Sequence, residues 1–517
     1  MKADVKIASI LKQPKFVLLS PYEEIHSYGV RSLASYLKDR GIDTSIIFCP
    51  IQSRFSAYVL HQANYILPSQ VIDDVSKIAV DATCIGISLM TDHFLAVVEL
   101  TKQLKRRLPN IPIVWGGIHP TLVPESCSSY ADYVCVGEGY EATYELLHQL
   151  NEGERFPDIS GIGYLRANEF IFHGVREPID DIDILPFVDY GTDEQYLRVG
   201  NSIRPMTSSL MKRYMGFWYT SFFSYGCPFN CTYCCNSYLH KLHPRYRSIR
   251  KHSPEYVADE IKFIRRVHPF IRMVKFNDDS FMSLSDSEMA RFADLQNKIG
   301  NIPFVATGGN PRLITEQKIA LLVGAGLRRT RIGIQTGNER VLRDVYGRKP
   351  CREDILRSSR ILARYSRQLV PTAYDIILDN PWEKPEELID TFDLISQLER
   401  PFSLNLFSLR PYPKTVLYDR VVHESLMDVT EMREGKVKSF LALGNSYLNC
   451  LIAASGLIPI PRGLRKFLLN QRFVQGNRRV PRPVISTLTT MITMQKVYHH
   501  ISKRDVTMLP FSIARML

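Results

Sequence analysis

The run Tyr225-Gly226-Cys227-Pro228-Phe229-Asn230-Cys231-Thr232-Tyr233-Cys234-Cys235 sets Cys227, Cys231 and Cys234 in a C-x3-C-x2-C spacing. Three thiolates so spaced suit three irons of a four-iron cubane and leave the fourth iron without a protein ligand. Electron-transfer clusters normally take four cysteines. The missing ligand is therefore the informative part, because an iron held open is free to chelate a small molecule.

The rest of the composition agrees with an intracellular enzyme. A chain of 517 residues exceeds what one core organises, so about two or three domains are expected. Cysteines away from the triplet stand singly, at Cys49, Cys84, Cys127, Cys135, Cys351 and Cys450. They form no disulfide framework, and an oxygen-labile cluster favours a reducing compartment. The first ten residues mix charge into their apolar positions and lack the continuous apolar core of a signal peptide, so the expected location is cytoplasmic.

The triplet resembles the signature of the radical S-adenosylmethionine superfamily. That resemblance implies a 4Fe-4S cluster on Cys227, Cys231 and Cys234, with the open iron binding the amino and carboxylate groups of S-adenosylmethionine. Electron transfer to the sulfonium then releases a 5'-deoxyadenosyl radical, with a flavodoxin or ferredoxin as reductant. Tyr233 is the aromatic before the third cysteine, with its backbone near the adenine, and Cys235 falls outside the ligand set as a small packing residue.

Residues 15–150 alternate strand and helix patterns. Lys15–Ser20, Ile46–Phe48, Cys84–Ser88, Ile113–Trp115 and Val134–Val136 are short apolar runs separated by helical stretches. Buried strands with intervening helices predict an open, Rossmann-like parallel sheet whose ligands sit beyond the carboxyl ends of the strands. Those ends carry Gly116-Gly117-Ile118-His119-Pro120-Thr121 and Gly137-Glu138-Gly139. They resemble the cobalamin-binding domain that precedes many radical S-adenosylmethionine modules. The resemblance implies cobalamin contacts from Gly116, Gly117, His119, Thr121, Gly137, Glu138 and Gly139. Paired glycines let backbone approach a flat ligand closely. No Asp-x-His-x-x-Gly run supplies a histidine below cobalt, and His119 reads better as a loop histidine bonded to backbone than as a cobalt ligand.

Residues 151–215 read as a connector of turns and short strands. A second series begins at Phe217, with further strands at Met273–Phe276, Pro303–Ala306, Arg331–Ile334, Tyr374–Leu378 and Leu404–Phe407. Six strands interleaved with helices over 216–430 resemble the partial (β/α)6 barrel of the superfamily, whose chemistry lies at the strand carboxyl ends. Asn277, Asp278 and Asp279 stand where the family places groups near the methionine amino nitrogen. Gly333-Ile334-Gln335-Thr336-Gly337 resembles a family segment in which Gln335 replaces a cofactor-orienting Glu. Asp379 and Lys414 occupy positions where the family usually has glycine, and Asp379 is expected to alter the active-site floor.

Beyond residue 431 a helical, basic cap is expected. Phe440–Pro461 has no charged residue and predicts a buried or interfacial helix. From Pro461 onward there are eleven Lys and Arg against one acid, Asp505, so nearly all of the net charge of +12 lies there. Such a tail points to an anionic partner, and the expected one is a membrane surface where the protein binds peripherally.

The resemblance as a whole implies methylation of an unactivated carbon of a small-molecule or lipid-like substrate. No catalytic side chain is implied beyond the cluster. A radical cyclase or rearrangement enzyme, an RNA-modifying enzyme and a non-catalytic iron-sulfur and cobalamin sensor remain as alternatives. Nucleic acid is disfavoured, since no RNA-binding module is recognisable at the carboxyl end.

Overall fold

The computed structural model describes residues 13–51, 66–349, 351–426, 443–474 and 477–508. The reading of the first ten residues and part of the apolar stretch from Phe440 lie outside them. The chain divides into two compact units, one of Met1–Pro178 with Leu185–Thr207, the other of Ile179–Ile184 with Ser208–Leu517.

In the first unit, β1 (Lys15–Ser20), β2 (Asp43–Phe48), β3 (Cys84–Ser88), β4 (Ile113–Gly116) and β5 (Tyr133–Cys135) form a parallel core in the order β5-β4-β3-β1-β2. The apolar runs are strands because both faces are covered. Val17, Leu19, Ile47, Ile85, Ile87 and Trp115 are all essentially inaccessible and share one core. Strand order reverses at β1, which lies between β2 and β3, so a crevice opens beyond the carboxyl ends of β1 and β3.

The 151–215 segment does carry short strands, and their hydrogen bonds extend this same sheet. β6 (Ile162–Arg166) and β7 (Glu169–Phe172) add antiparallel beyond β5, while β8 (Gln195–Val199) adds parallel to β2 and β9 (Ser202–Pro205) antiparallel to β8. Both edges of the parallel core are thereby paired instead of left as open ladders.

In the second unit, β10 (Trp218–Ser221) is followed by a small antiparallel hairpin of β11 (Ser224–Tyr225) and β12 (Arg250–Lys251). The main sheet continues through β13 (Met273–Phe276), β14 (Phe304–Gly309), β15 (Leu327–Gln335), β16 (Thr372–Leu378) and β17 (Phe402–Ser408). All six are parallel in the order β10-β13-β14-β15-β16-β17, the six-stranded half-barrel expected. Helices return the chain between strands. Pro254–Val267 starts where Ser253 caps the Tyr256 amide, and Asp286–Lys298 where Ser285 and Glu288 form a reciprocal capping box.

The apolar carboxyl-terminal stretch supplies helix Tyr447–Leu457, which is buried along most of its length against β17 and helix Pro385–Ile395. No helix among the described residues is long and apolar enough to cross a membrane. The longest, Arg482–Ser502, packs on β17 and on Tyr447–Leu457.

Candidate functional site

The cluster loop leaves the carboxyl end of β10. Gly226 has φ +93°, and a Cβ there would lie 2.3 Å from the Ser248 carbonyl oxygen, so only glycine lets the chain pass the β11–β12 hairpin on its way to Cys227. Farther along, the Thr232 amide donates to the Tyr346 carbonyl at 3.2 Å. Cys227 and Cys231 are buried and Cys234 is partly so. Burial pushes the Cys227 thiol up to about 12, and nearby Asp279, Cys234 and Cys231 push the same way. Burial likewise raises Cys231.

Clustered thiols that disfavour one another's ionisation become good thiolates once a cation neutralises them, and iron supplies that charge. Among the described residues no Cys, His, Asp or Glu trio converges on a single ion. A cubane has no such need, since each thiolate binds a different iron. The residues present therefore fit the cluster. Cys235 opens helix Asn236–Leu242 and shares a hydrogen bond with Cys234, which raises the Cys234 thiol and lowers that of Cys235.

The Tyr233 side chain packs edge-on to Tyr346 at 5.3 Å, against a cluster that includes Val341, Val345 and Leu417. Its hydroxyl accepts from Arg348 at 3.0 Å. Arg348 was not legible in the sequence. Its guanidinium also donates to the Gly333 carbonyl at 2.8 Å and reaches Cys231 Sγ at 3.8 Å, linking the cluster loop to β15.

The three residues after β13 separate in role. Asp278 was expected near the cofactor, but it is buried and its carboxylate accepts from the amides of Phe223 (3.1 Å) and Ser224 (2.6 Å) and from the Ser224 hydroxyl (2.8 Å). It clamps the strand ends ahead of the cluster loop, and burial pushes its carboxyl up to about 7. Asp279 is exposed and accepts from Asn236 at 3.2 Å, and Asn277 lines a cavity inside the half-barrel. Gln335 ends β15 at φ +75°, with its side-chain nitrogen folded over Gly333 where a β-bulge breaks the register with β16.

Asp379, expected to alter the active-site floor, directly follows the carboxyl end of β16 and is bonded to the carboxyl-terminal segment. Its carboxylate accepts from the Gly444 amide (2.8 Å) and Asn449 Nδ2 (2.7 Å), anchoring the carboxyl-terminal segment. Both positions where glycine was expected have left-handed backbone, φ +57° at Asp379 and +63° at Lys414. Glycine suits them for conformational reasons, and Asp379 offsets the strain with these hydrogen bonds.

In the first unit a cavity of about 220 Å³ occupies the crevice between β1 and β3. Of the residues named for cobalamin contact, Gly116, Gly117, Gly137, Glu138 and Gly139 line it, joined by Gly29, Gly86, Phe16 and Leu18. A corrin ring is far larger than this slot, so what the slot suits is the cofactor's tail. Its walls are mostly glycine backbone and apolar side chains, with Ser88, Glu138 and Thr143 among them, and a Cβ on Gly29 would meet nothing within 4 Å. The residues present thus fit cobalamin. Gly117 has φ +100° and its Cβ would meet the Leu89 carbonyl oxygen at 3.0 Å, so this glycine serves the protein's own turn.

Two expected contacts lie elsewhere. His119 does not line the slot: it is buried, its Nδ1 lies 3.1 Å from Thr91 Oγ1 and its ring packs on Phe94. Its bond is to a side chain, not to backbone, and burial lowers it to about 4, which keeps it neutral. Thr121 does not line it either. Its hydroxyl donates to the Gly117 carbonyl (2.8 Å) and accepts from the Gly137 amide (3.0 Å), stapling the two glycine loops. Gly29 and Gly86 escaped notice because each is a lone glycine in an otherwise ordinary helix or strand.

Comparison with known proteins gives the same division. Residues 14–147 match the B12 binding domain and residues 221–394 match the Radical SAM superfamily. An uncharacterized methyltransferase, PH0819, of Pyrococcus horikoshii is 24% identical over 363 residues, 68% of this chain and 73% of that protein. The anaerobic magnesium-protoporphyrin IX monomethyl ester cyclase of a Synechocystis species is 24% identical over 261 residues, 48% of this chain and 44% of the cyclase. Among solved structures, the radical S-adenosylmethionine methyltransferase TsrM of Kitasatospora setae, with tryptophan substrate and a cofactor analogue bound, has a TM-score of 0.61 at 17% identity, covering 80% of this chain and 76% of its own. The cobalamin-dependent S-adenosylmethionine radical enzyme OxsB has a TM-score of 0.62 at 15% identity, covering 96% and 72%. The two matched domains, each holding a site that suits its cofactor, make this chain a member of the radical S-adenosylmethionine superfamily that carries a B12 binding domain, with a 4Fe-4S cluster, S-adenosylmethionine and cobalamin as its cofactors.

Proposed function

We propose that the chain is a methyltransferase that places a methyl group on an unactivated carbon of a small molecule. One observation carries the reading: a three-thiol loop beyond the carboxyl end of β10 and a glycine-lined slot at the strand reversal of the first unit occur in one chain. When bound, the cluster with S-adenosylmethionine supplies a hydrogen-abstracting radical and cobalamin supplies the methyl group, a division suited to carbons with no acidic proton. The chain's own part is to position and shield. Cys227, Cys231 and Cys234 hold iron, and Arg348 fixes the loop against β15. Asp278 ties down the strand ends, and Thr121 sets the spacing of the slot's loops.

The methyltransferase name of the Pyrococcus relative supports this reading, and the cyclase relative supports cyclisation as the second. Anaerobic reconstitution with iron, sulfide, cobalamin and a flavodoxin reductant separates them. Methyl transfer yields S-adenosylhomocysteine. Turnover giving 5'-deoxyadenosine with no S-adenosylhomocysteine overturns methylation in favour of cyclisation, and cleavage of no S-adenosylmethionine at all leaves a sensor.

A peripheral, cytoplasmic membrane contact belongs to the same proposal. Helix Arg462–Leu468 exposes Leu464 (46%) and Phe467 (61%) beside Arg462 and Lys466, a combination that suits an anionic lipid surface. Stronger sedimentation with anionic than with neutral vesicles, abolished by high salt, is the expected result.

A further inference from the structure

Inside the half-barrel of the second unit lies a cavity of about 190 Å³ whose lining includes Lys275, Arg329, Arg331 and Lys496 and no Asp or Glu. Arg329 and Arg331 stand two apart on β15, so both project to the same face of the sheet. Lys496 comes from helix Arg482–Ser502.

Two carboxylates that do not themselves line the cavity hold its arginines. Asp375 accepts Arg331 Nε at 2.7 Å and Asn405 Nδ2 at 2.7 Å. Asp505 accepts Arg329 Nε at 2.7 Å, and its Oδ2 lies 3.1 Å from His500 Nδ1. The ammonium of Lys496 donates to the neutral Asn405 Oδ1 at 2.6 Å and, among the described residues, pairs with no carboxylate. Burial pushes Lys496 down to about 8, against the pull of Asp375 and with Arg331 and Arg329 adding to the drop. Arg329, Arg331 and Lys496 share two carboxylates among the described residues, Asp375 and Asp505, which leaves an excess of positive charge at the cavity at a cost that an entering anion would remove. Asn277 and Thr307 carry the same cavity up to the ends of β13 and β14, the level at which the cluster loop leaves β10.

We propose that this cavity seats an oxyanion group of the substrate, a carboxylate or a phosphate, and so restricts the enzyme to anionic small molecules. The proposal rests on the half-barrel being the site of reaction. The oxyanion would take its charge-assisted hydrogen bonds from Lys496 and the β15 arginines, which places the remainder of the substrate toward the strand ends. It also accounts for part of the basic excess of the carboxyl-terminal tail: Lys496 is turned into the barrel.

The test is equilibrium dialysis of the reconstituted full chain, at constant ionic strength in chloride, against inorganic phosphate and against propionate. Binding of one equivalent of either probe, weakened at least tenfold in Lys496→Gln and restored toward wild type in Lys496→Arg, is the expected result. Iron content and melting temperature verify that each variant is folded. Phosphate binding alone assigns a phosphorylated substrate, propionate alone a carboxylic acid, and both the shared chemistry. Three outcomes overturn the proposal: neither probe binds, Lys496→Gln binds as wild type does, or S-adenosylmethionine displaces the probe, which would assign the cavity to the cofactor's own carboxylate. S-adenosylmethionine cleavage measured separately keeps the two readings distinct. Oxyanion binding without cleavage removes the radical reaction and leaves the anion site standing.

Discussion

The slot of the first unit and the cavity of the second are similar in size and opposite in construction. The slot is walled by backbone, with Gly29, Gly86, Gly116, Gly117, Gly137 and Gly139 around it and few charges facing in. The cavity is walled by side chains, with four cations drawn from two strands and a distant helix. A wall of backbone recognises a shape and suits any ligand with a flat or narrow tail. A wall of long charged side chains recognises one chemical group, and it depends on partners behind it to hold those side chains in place. Recognition of a cofactor and recognition of a substrate thus leave different marks on the molecule.

The largest effect expected is at neither site but at the cluster loop on which the second unit's chemistry depends. Cys231→Ala should lose essentially all iron on anaerobic reconstitution and all S-adenosylmethionine cleavage, while Cys235→Ala keeps a full complement; iron and sulfide counting decides between them. Gly29→Leu tests the backbone-built wall. A side chain there enters open space instead of the protein's own atoms, so retention of cobalamin after gel filtration should fall at least tenfold with iron unchanged. Unaltered retention would show that the slot is not where the cofactor's tail goes.

The charged wall should fail through its supports. Asp505→Asn leaves Arg329 buried without its carboxylate and should cost about 3 kcal/mol by urea unfolding at pH 7. Burial alone would raise the Asp505 carboxyl, but Arg329 and His500 hold it well below the usual carboxylate range. A depressed pKa contributes stability that is complete above the unfolded value and lost as pH falls through the folded one. The gap between wild type and variant should therefore be constant from pH 7 to about pH 4 and close only in stronger acid. The smallest effect belongs to Asp379→Gly. It removes hydrogen bonds to Gly444 and Asn449 but relieves the left-handed strain, for a net loss of about 1 kcal/mol. Faster amide hydrogen exchange at Gly444 is the accompanying sign.

The same contrast explains what could be read in the sequence. The cluster triplet and the paired glycines of the slot are contiguous, because a loop that wraps a cofactor supplies its contacts from neighbouring residues, and both were legible. The strands of the two sheets were legible as apolar runs, because both faces of a parallel sheet are buried. Lys275, Arg329, Arg331 and Lys496 are spread over more than two hundred residues, and as sequence each is an ordinary surface-type residue; only strand pairing and a packed helix bring them together. Asp278 and His119 show the reverse error. Each sits in a motif that marks the site, but the side chain is spent on holding a loop or filling the core. The tail's charge was legible in amount and not in direction, since composition does not say which face of a helix points inward.

That the half-barrel is completed by a helix from the far end of the chain has a consequence for its biogenesis. Asn405 and Lys496, bonded to each other, are 91 residues apart, about 5 to 18 s of translation at ordinary rates of about 5–20 residues per second. During that interval all six strands have been made while the helix that closes the interior has not. The first unit is fully synthesised long before then, so the two halves of the molecule mature on different schedules. The nascent half-barrel spends those seconds with the amino-terminal end of its basic interior uncovered, since Val497 and Ile501 of that helix pack on Phe217, Met273 and Val305.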